Sequence, residues 1–176
     1  MRPTIKLTAQ LSILCISALL GACTGMPERV EPVKGFELDR YLGKWYEIAR
    51  LDHRFERGLN QITAEYTLRD DGGVRVVNRG FSTESGKWEE AQGKAYFVGD
   101  ETIGHLKVSF FGPFYGSYII FDLDKDYRYS FVSGPDTSYL WLLSREPQVS
   151  EAVMQRFRSK AEQAGFDLDE LIIVKQ

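Results

Sequence analysis

Between Gly43 and Arg145 the chain is written in short runs of alternating polar and apolar residues, and each run stops at a turn. The stops are DDGG (Asp70 to Gly73), STESG (Ser82 to Gly86), GDETIG (Gly99 to Gly104), FGP (Phe111 to Pro113), LDKD (Leu123 to Asp126) and SGPDTS (Ser133 to Ser138). A period of two buries one face of a strand, and loops this short turn the next strand back antiparallel. The runs predict eight strands, near 44–52, 61–69, 73–81, 87–98, 104–111, 115–123, 126–133 and 138–145. Parallel neighbours need helical crossovers and Greek keys need long ones. An up-and-down meander remains, and closing it into a barrel removes both unpaired edges.

After Pro147 the period changes to 3.6, with Val149, Val153, Met154, Phe157 and Ala161 on one stripe between Ser150 and Gly165. This predicts one amphipathic helix of about four turns, its polar face too mixed in sign for a basic membrane helix, and therefore packed outside the barrel. LIIVK (Leu171 to Lys175) is a candidate for a last short strand.

The N-terminus belongs to a different kind of sequence. Arg2 and Lys6 precede the apolar run LSILCISALL, which ends in LGAC. The run is too short for a permanent span and reads as a signal peptide over 1–22, with Gly21 and Ala22 allowing cleavage before Cys23. The Cys23 thiol is then the lipidation site. Thr24 follows where aspartate would retain a lipoprotein in the inner membrane, so the resemblance to lipoproteins implies sorting to the outer membrane, and the periplasmic face is the expected side. Residues 23–35 carry prolines and charges without a period and are expected to form an extended, mobile tether. Residues 36–176 then make one domain with enough chain for one core. Cys15 and Cys23 are the only cysteines, so the folded body has no thiol for a disulfide, a nucleophile or a metal. The net charge of −3 becomes −5 once Arg2 and Lys6 leave with the leader, which gives no footprint for nucleic acid.

In an eight-stranded meander the start of the first strand and the end of the last are neighbours at one end. That brings Trp45 beside Arg145, 100 positions on, a pairing worth about 0.5–2 kcal/mol. Gly43-Lys44-Trp45, Asp126-Tyr127 and Arg145 resemble, in order, the three motifs of the lipocalins. The longer stretches GKWYEIARLDHRFERGL, KVSFFGPFYG and YLWLLSR are similar to those of bacterial outer-membrane lipocalins. The resemblance covers about 36–175. It implies a calyx closed at one end by Gly43, Trp45 and Arg145 as a structural plug, and fatty acids or lysophospholipids as ligands.

Alternation counted from Trp45 and Arg145 predicts the lining. Strand one offers Glu47, Ala49 and Leu51, and strand eight Tyr139, Trp141 and Leu143. Strands two and three offer Ala64, Tyr66, Leu68, Val76 and Asn78. Strands five and six offer Leu106, Val108, Phe110, Tyr115, Ser117 and Ile119. Small residues among them favour a cavity over a filled barrel. The mouth is expected at the opposite end, with His53, Arg54 and Arg57 on the first loop and Phe114 in FFGPFYG, an aromatic loop that either covers the mouth or meets a partner, including a second copy in a homodimer. Glu47 on this apolar face needs a partner, and Arg145 below it or Asn78 across the barrel are the expected ones.

Catalysis has little support. Asp52-His53 with Ser109 or Ser130 lacks a nucleophile-elbow pattern. His53 and His105 stand in no metal-ligand spacing, and no phosphate loop or dinucleotide fingerprint is present. The expectation is a binding protein without a cofactor, which takes up a single-chain lipid in envelope maintenance under stress. A filled-barrel interaction lipoprotein is the alternative, and a lipid esterase a more remote one.

Overall fold

The computed structural model describes residues 24–176, so the leader and the lipidation site Cys23 lie outside the described residues. The meander is β1 (Gly43–Arg50), β2 (Leu59–Leu68), β3 (Val74–Ser82), β4 (Lys87–Phe97), β5 (His105–Ser109), β6 (Gly116–Leu123), β7 (Tyr129–Ser133) and β8 (Leu140–Ser144). Each strand pairs antiparallel with the next, and β1 pairs with β8 as well as β2, which closes the ring. The strand ends fall within three residues of the expected spans. Gly72 and Gly86, at φ 78° and 66°, carry the tight turns after β2 and β3, a backbone that side chains resist.

One end is sealed. A single turn, α1 (Leu38–Tyr41), which the sequence pattern had not marked as helix, crosses beneath the ring. Trp45 is fully buried and donates its indole N–H to the Tyr41 carbonyl at 2.8 Å. The Arg145 guanidinium lies 3.9 Å from the centroid of that indole. Its Nη1 donates to Lys44 O at 2.8 Å, and its Nη2 to Arg40 O and Leu42 O at 2.8 and 2.9 Å. One side chain thus satisfies three carbonyls of the segment that enters the barrel. Gly43 has φ 90°, a backbone that side chains resist, while a Cβ there would meet Arg145 Nη1 only at an ordinary contact distance of 3.5 Å, so it is the turn that calls for glycine.

Outside the ring, α2 (Glu151–Gln163) is capped by Ser150, whose Oγ accepts from Val153 N at 3.3 Å. Phe157 and Ala161 are buried against Ile48, Ile119, Phe131, Leu140 and Leu142. Arg156 Nη2 donates to both carboxylate oxygens of Asp122, at 3.0 and 2.8 Å, tying the helix to β6.

β1 carries an irregularity. Its register with β8 slips between Glu47 and Ala49, leaving Ile48 without an opposite residue. Its pairing with β2 ends at Tyr46↔Thr63, and Gln61 stands at φ 50° where β2 bends away. The C-terminal segment enters that gap as β9 (Ile172–Ile173), with Ile173 opposite Ala49. Val174 N donates to Ile48 O at 2.9 Å and Gln61 N to Lys175 O at 2.7 Å. The main-chain groups freed by the bend are thereby paired again.

Residues 24–35 differ from the expected mobile tether. Val30 is buried, Val33 N donates to Ile120 O at 2.8 Å, Gly104 N donates to Val33 O at 2.9 Å, and Lys34 bridges Ile103. The prolines read as linker punctuation, but Val30 and Val33 supply apolar anchors that the barrel wall accepts.

Arg145→Ala removes the guanidinium donors to the carbonyls of Arg40, Leu42, Lys44 and Tyr127 and the indole contact together. It is expected to lower stability by about 2–4 kcal/mol, read from urea midpoints, with a smaller loss in Arg145→Lys.

Candidate functional site

The ring is hollow, with a cavity of about 660 Å³ open at the end opposite the plug. Ala64 and Tyr66 on β2, with Val76 and Asn78 on β3, form one wall. Val108 and Phe110 beyond β4 and Trp141 and Leu143 on β8 form others. Ala64 and Ala95 leave the space that larger side chains would fill. Leu68, expected on the inside, is instead 58% exposed where β2 runs out at the closed end.

Two strands depart from simple alternation. Ala49 and Leu51 do not line the cavity; both are buried with Ile48 and Leu142 in the cluster that includes Phe157. The bulge at Ile48 is the cause, because one extra residue turns every later side chain of the strand to the opposite face. On β6 the inward residues are Tyr118, opposite Leu106, and Ile120, whereas Ile119 joins the cluster under the helix. Tyr115 and Ser117 border the cavity, but Ser117 stands opposite Lys107, and the Lys107 ammonium lies 5.4 Å from the Tyr115 centroid. Counting inward from Tyr115 sets the phase one residue off.

The same bulge brings in a residue that sequence reasoning missed. Arg50 pairs with Trp141, and only 2% of it is exposed. Its Nε lies 3.2 Å from Glu47 Oε1, too bent for a hydrogen bond, and 3.8 Å from Glu56 Oε2. Its Nη1 and Nη2 donate to Leu51 O at 3.3 Å and Glu56 O at 2.8 Å. Glu47 therefore meets Arg50, and neither Arg145 nor Asn78 serves as its partner. No pattern in IAR distinguishes this arginine from an exposed one unless the bulge is known.

Burial raises the pKa of Glu47 well above the usual carboxylate range, and the neighbouring Glu56 charge pushes it further, while Arg50 pulls it back. Glu56 is also raised by burial, opposed by the hydrogen bond from Trp141 Nε1 at 3.2 Å and by Arg50. Two carboxyls thus share one buried guanidinium, and burial together with their mutual repulsion disfavours both being charged at once.

His53, expected among the charges of the mouth, is buried at 4% exposure, stacked on Phe55 and Tyr139 with centroids 5.2 Å away and beside Trp141 at 4.7 Å. Burial, then Arg50, depresses its pKa to about 4. Arg54 is exposed on the same loop, and Arg57 donates its Nε to Asp52 at 2.7 Å. Phe114 stands at the rim, 75% exposed. At the floor Tyr118 Oη lies 2.7 Å from Tyr41 Oη and 2.9 Å from Tyr66 Oη, and Tyr41 donates to Ser130 Oγ at 3.1 Å. Glu47 Oε1 and Asn78 Oδ1 face this interior without a hydrogen bond. Among the described residues no group of three or more His, Cys, Asp or Glu is arranged to hold a metal ion.

A closed antiparallel eight-strand ring, plugged at one end and hollow to the other, with one helix packed outside, defines a calyx-type binding protein. The chain belongs to the lipocalin family: the family model described as Lipocalin-like domain matches residues 36–176. It is 62% identical to "Outer membrane lipoprotein Blc" of Vibrio cholerae, over 93% of this chain and 96% of that one. The protein of the same name from Escherichia coli K12 is 52% identical, over 90% of each chain. Among solved structures, insecticyanin from the tobacco hornworm superposes with a TM-score of 0.68 at 22% identity, over 86% of this chain and 87% of that one, which speaks to the fold alone.

The His53 geometry sets a pH dependence. Its folded pKa of about 4 lies below the ordinary 6.5, so between these values the unfolded imidazole binds a proton and the folded one does not. That group therefore lowers stability as pH falls through the window, by up to about 1.4 kcal/mol per pH unit. His53→Phe keeps the stacking and is expected to lose this component, seen as a flatter fall of the urea midpoint between pH 6.5 and 4 than in the parent.

Proposed function

We propose that the protein is an outer-membrane lipoprotein, lipidated at Cys23 and facing the periplasm, that takes up one single-chain lipid, a fatty acid or a lysophospholipid, and holds or carries it in envelope maintenance under stress. The observation that carries this reading is the open cavity of about 660 Å³, walled mainly by aliphatic and aromatic side chains. Its volume lies within the range of small-molecule sites. Each buried methylene contributes about 0.8 kcal/mol, so selectivity among chains of similar length is broad. At the rim Arg54 offers a planar fork to a phosphate or carboxylate, while Arg57 is already engaged by Asp52. The names of the two bacterial relatives support the localisation. Action is by stoichiometric burial, and a filled barrel is at odds with the cavity.

Titration of delipidated protein with a fluorescent fatty acid and with a lysophospholipid, followed by quenching of Trp141, is expected to saturate at one ligand per cavity. Absence of saturable binding by both lipids overturns the reading, and ester turnover that is lost in Ser109→Ala replaces it with the enzyme. Ala64→Phe places a ring in the cavity and is expected to weaken lipid affinity at least tenfold, about 1.4 kcal/mol, with the urea midpoint changed far less.

A further inference from the structure

The N-terminal segment runs along the barrel in a definite direction. Phe36 N donates to Thr102 O at 2.8 Å beside the closed end, and Val33 pairs with Ile120 and Gly104 halfway along β6. At the other extreme a Cβ on Gly25 would lie 3.5 Å from Pro135 O, in the β7–β8 loop that borders the cavity mouth. The segment therefore ascends from the plug and arrives at the open end. Only Thr24 separates Gly25 from Cys23, so the chain between them reaches no more than about 7 Å. Strands of β1–β4 length put the plug about 25–35 Å away from it.

The same end exposes apolar rings. Phe55 on the β1–β2 loop is 61% exposed, and Phe111 and Phe114 on the β5–β6 loop are 79% and 75% exposed. Met26, next to Gly25, adds a fourth apolar side chain at 42%. Three rings on two loops, around an opening and level with the chain's approach to Cys23, are a large apolar surface for water to wet. Phenylalanine seated among headgroups and upper acyl chains is the way such a surface is covered at a bilayer.

We propose that the mouth rests on the lipid bilayer, with Phe55, Phe111 and Phe114 in the interfacial layer, so that the cavity opens directly into the leaflet that holds the anchor. The proposal rests on the anchor at Cys23 in the functional reading above. Its occupant is the membrane: a two-residue link to Cys23 leaves no length for the barrel to turn its mouth toward the periplasm and its plug toward the lipid. A lipid then passes between leaflet and cavity without crossing water.

Because the folded body contains no cysteine, an environment-sensitive fluorophore can be placed at Phe114→Cys in the mouth or at Lys125→Cys at the closed end. Lys125 is 86% exposed there. The lipidated protein is reconstituted into phosphatidylethanolamine/phosphatidylglycerol vesicles containing lipid spin-labelled in the upper acyl chain. The mouth probe is expected to shift to the blue and to be quenched several-fold more than the closed-end probe. Equal quenching of the two, or stronger quenching at Lys125→Cys, overturns the proposal. So does a blue shift at Phe114→Cys in detergent without vesicles that grows with protein concentration, which assigns the rings to a second copy. Mass spectrometry of the N-terminal peptide reads the anchor separately: an unmodified Cys23 removes the premise. Lysophospholipid titration of the same detergent-solubilised sample reports whether the carrier function survives either result.

Discussion

Closure of the ring depends on β1, which has to pair with more neighbours than a strand has edges. It joins β8 along one side and β2 along the lower part of the other, and above Tyr46 that second edge would be left open as β2 turns away. The bulge at Ile48 and the insertion of β9 resolve this, since Ile172 and Ile173 take the edge that β2 vacates. An unpaired edge of buried strand leaves main-chain donors and acceptors without partners, at a cost of about 1–3 kcal/mol each. The C-terminal segment is thus part of the closure.

The bulge also determines what the interior contains. It sends Ala49 and Leu51 to the helix-facing side, where Phe157 and Leu142 pack on them, and rotates Arg50 inward. A lone buried guanidinium is costly, so Glu47, Glu56 and the carbonyls of Leu51 and Glu56 gather around it. Those carbonyls belong to the first mouth loop, so this charge also pins the loop that carries His53 and Phe55. A polar cluster at the wall of an otherwise apolar cavity is thereby tied to the shape of its rim.

The two ends of the barrel divide the work. At the floor, Arg145 and Trp45 are satisfied by neighbouring carbonyls, and the tyrosines Tyr41, Tyr66 and Tyr118 hydrogen-bond among themselves. Nothing there calls for a ligand. At the mouth the rings of Phe55, Phe111 and Phe114 are exposed. The N-terminal segment bridges the two ends and leads toward Cys23 from the open one. Order in that segment has a physical source, because Val30 is buried on the barrel wall and the backbone of Val33 is paired on both sides.

Period-two runs ended by glycine- and aspartate-rich turns were enough to specify an eight-strand antiparallel barrel, and the change of period after Pro147 was enough for the helix outside it. Local patterning carries this information because strand faces and helix stripes are set by the near neighbours of each residue. The pairing of Trp45 with Arg145 was legible too, since topology alone brings the first and last strands together. The phase of β1 beyond Glu47 and of β6, and with it which residues reach the cavity, was decided by tertiary structure: a one-residue bulge has no signature in IAR and reverses every side chain after it. The order of residues 24–35 was likewise a tertiary outcome, because Val30 and Val33 are anchors only once the barrel presents a surface for them.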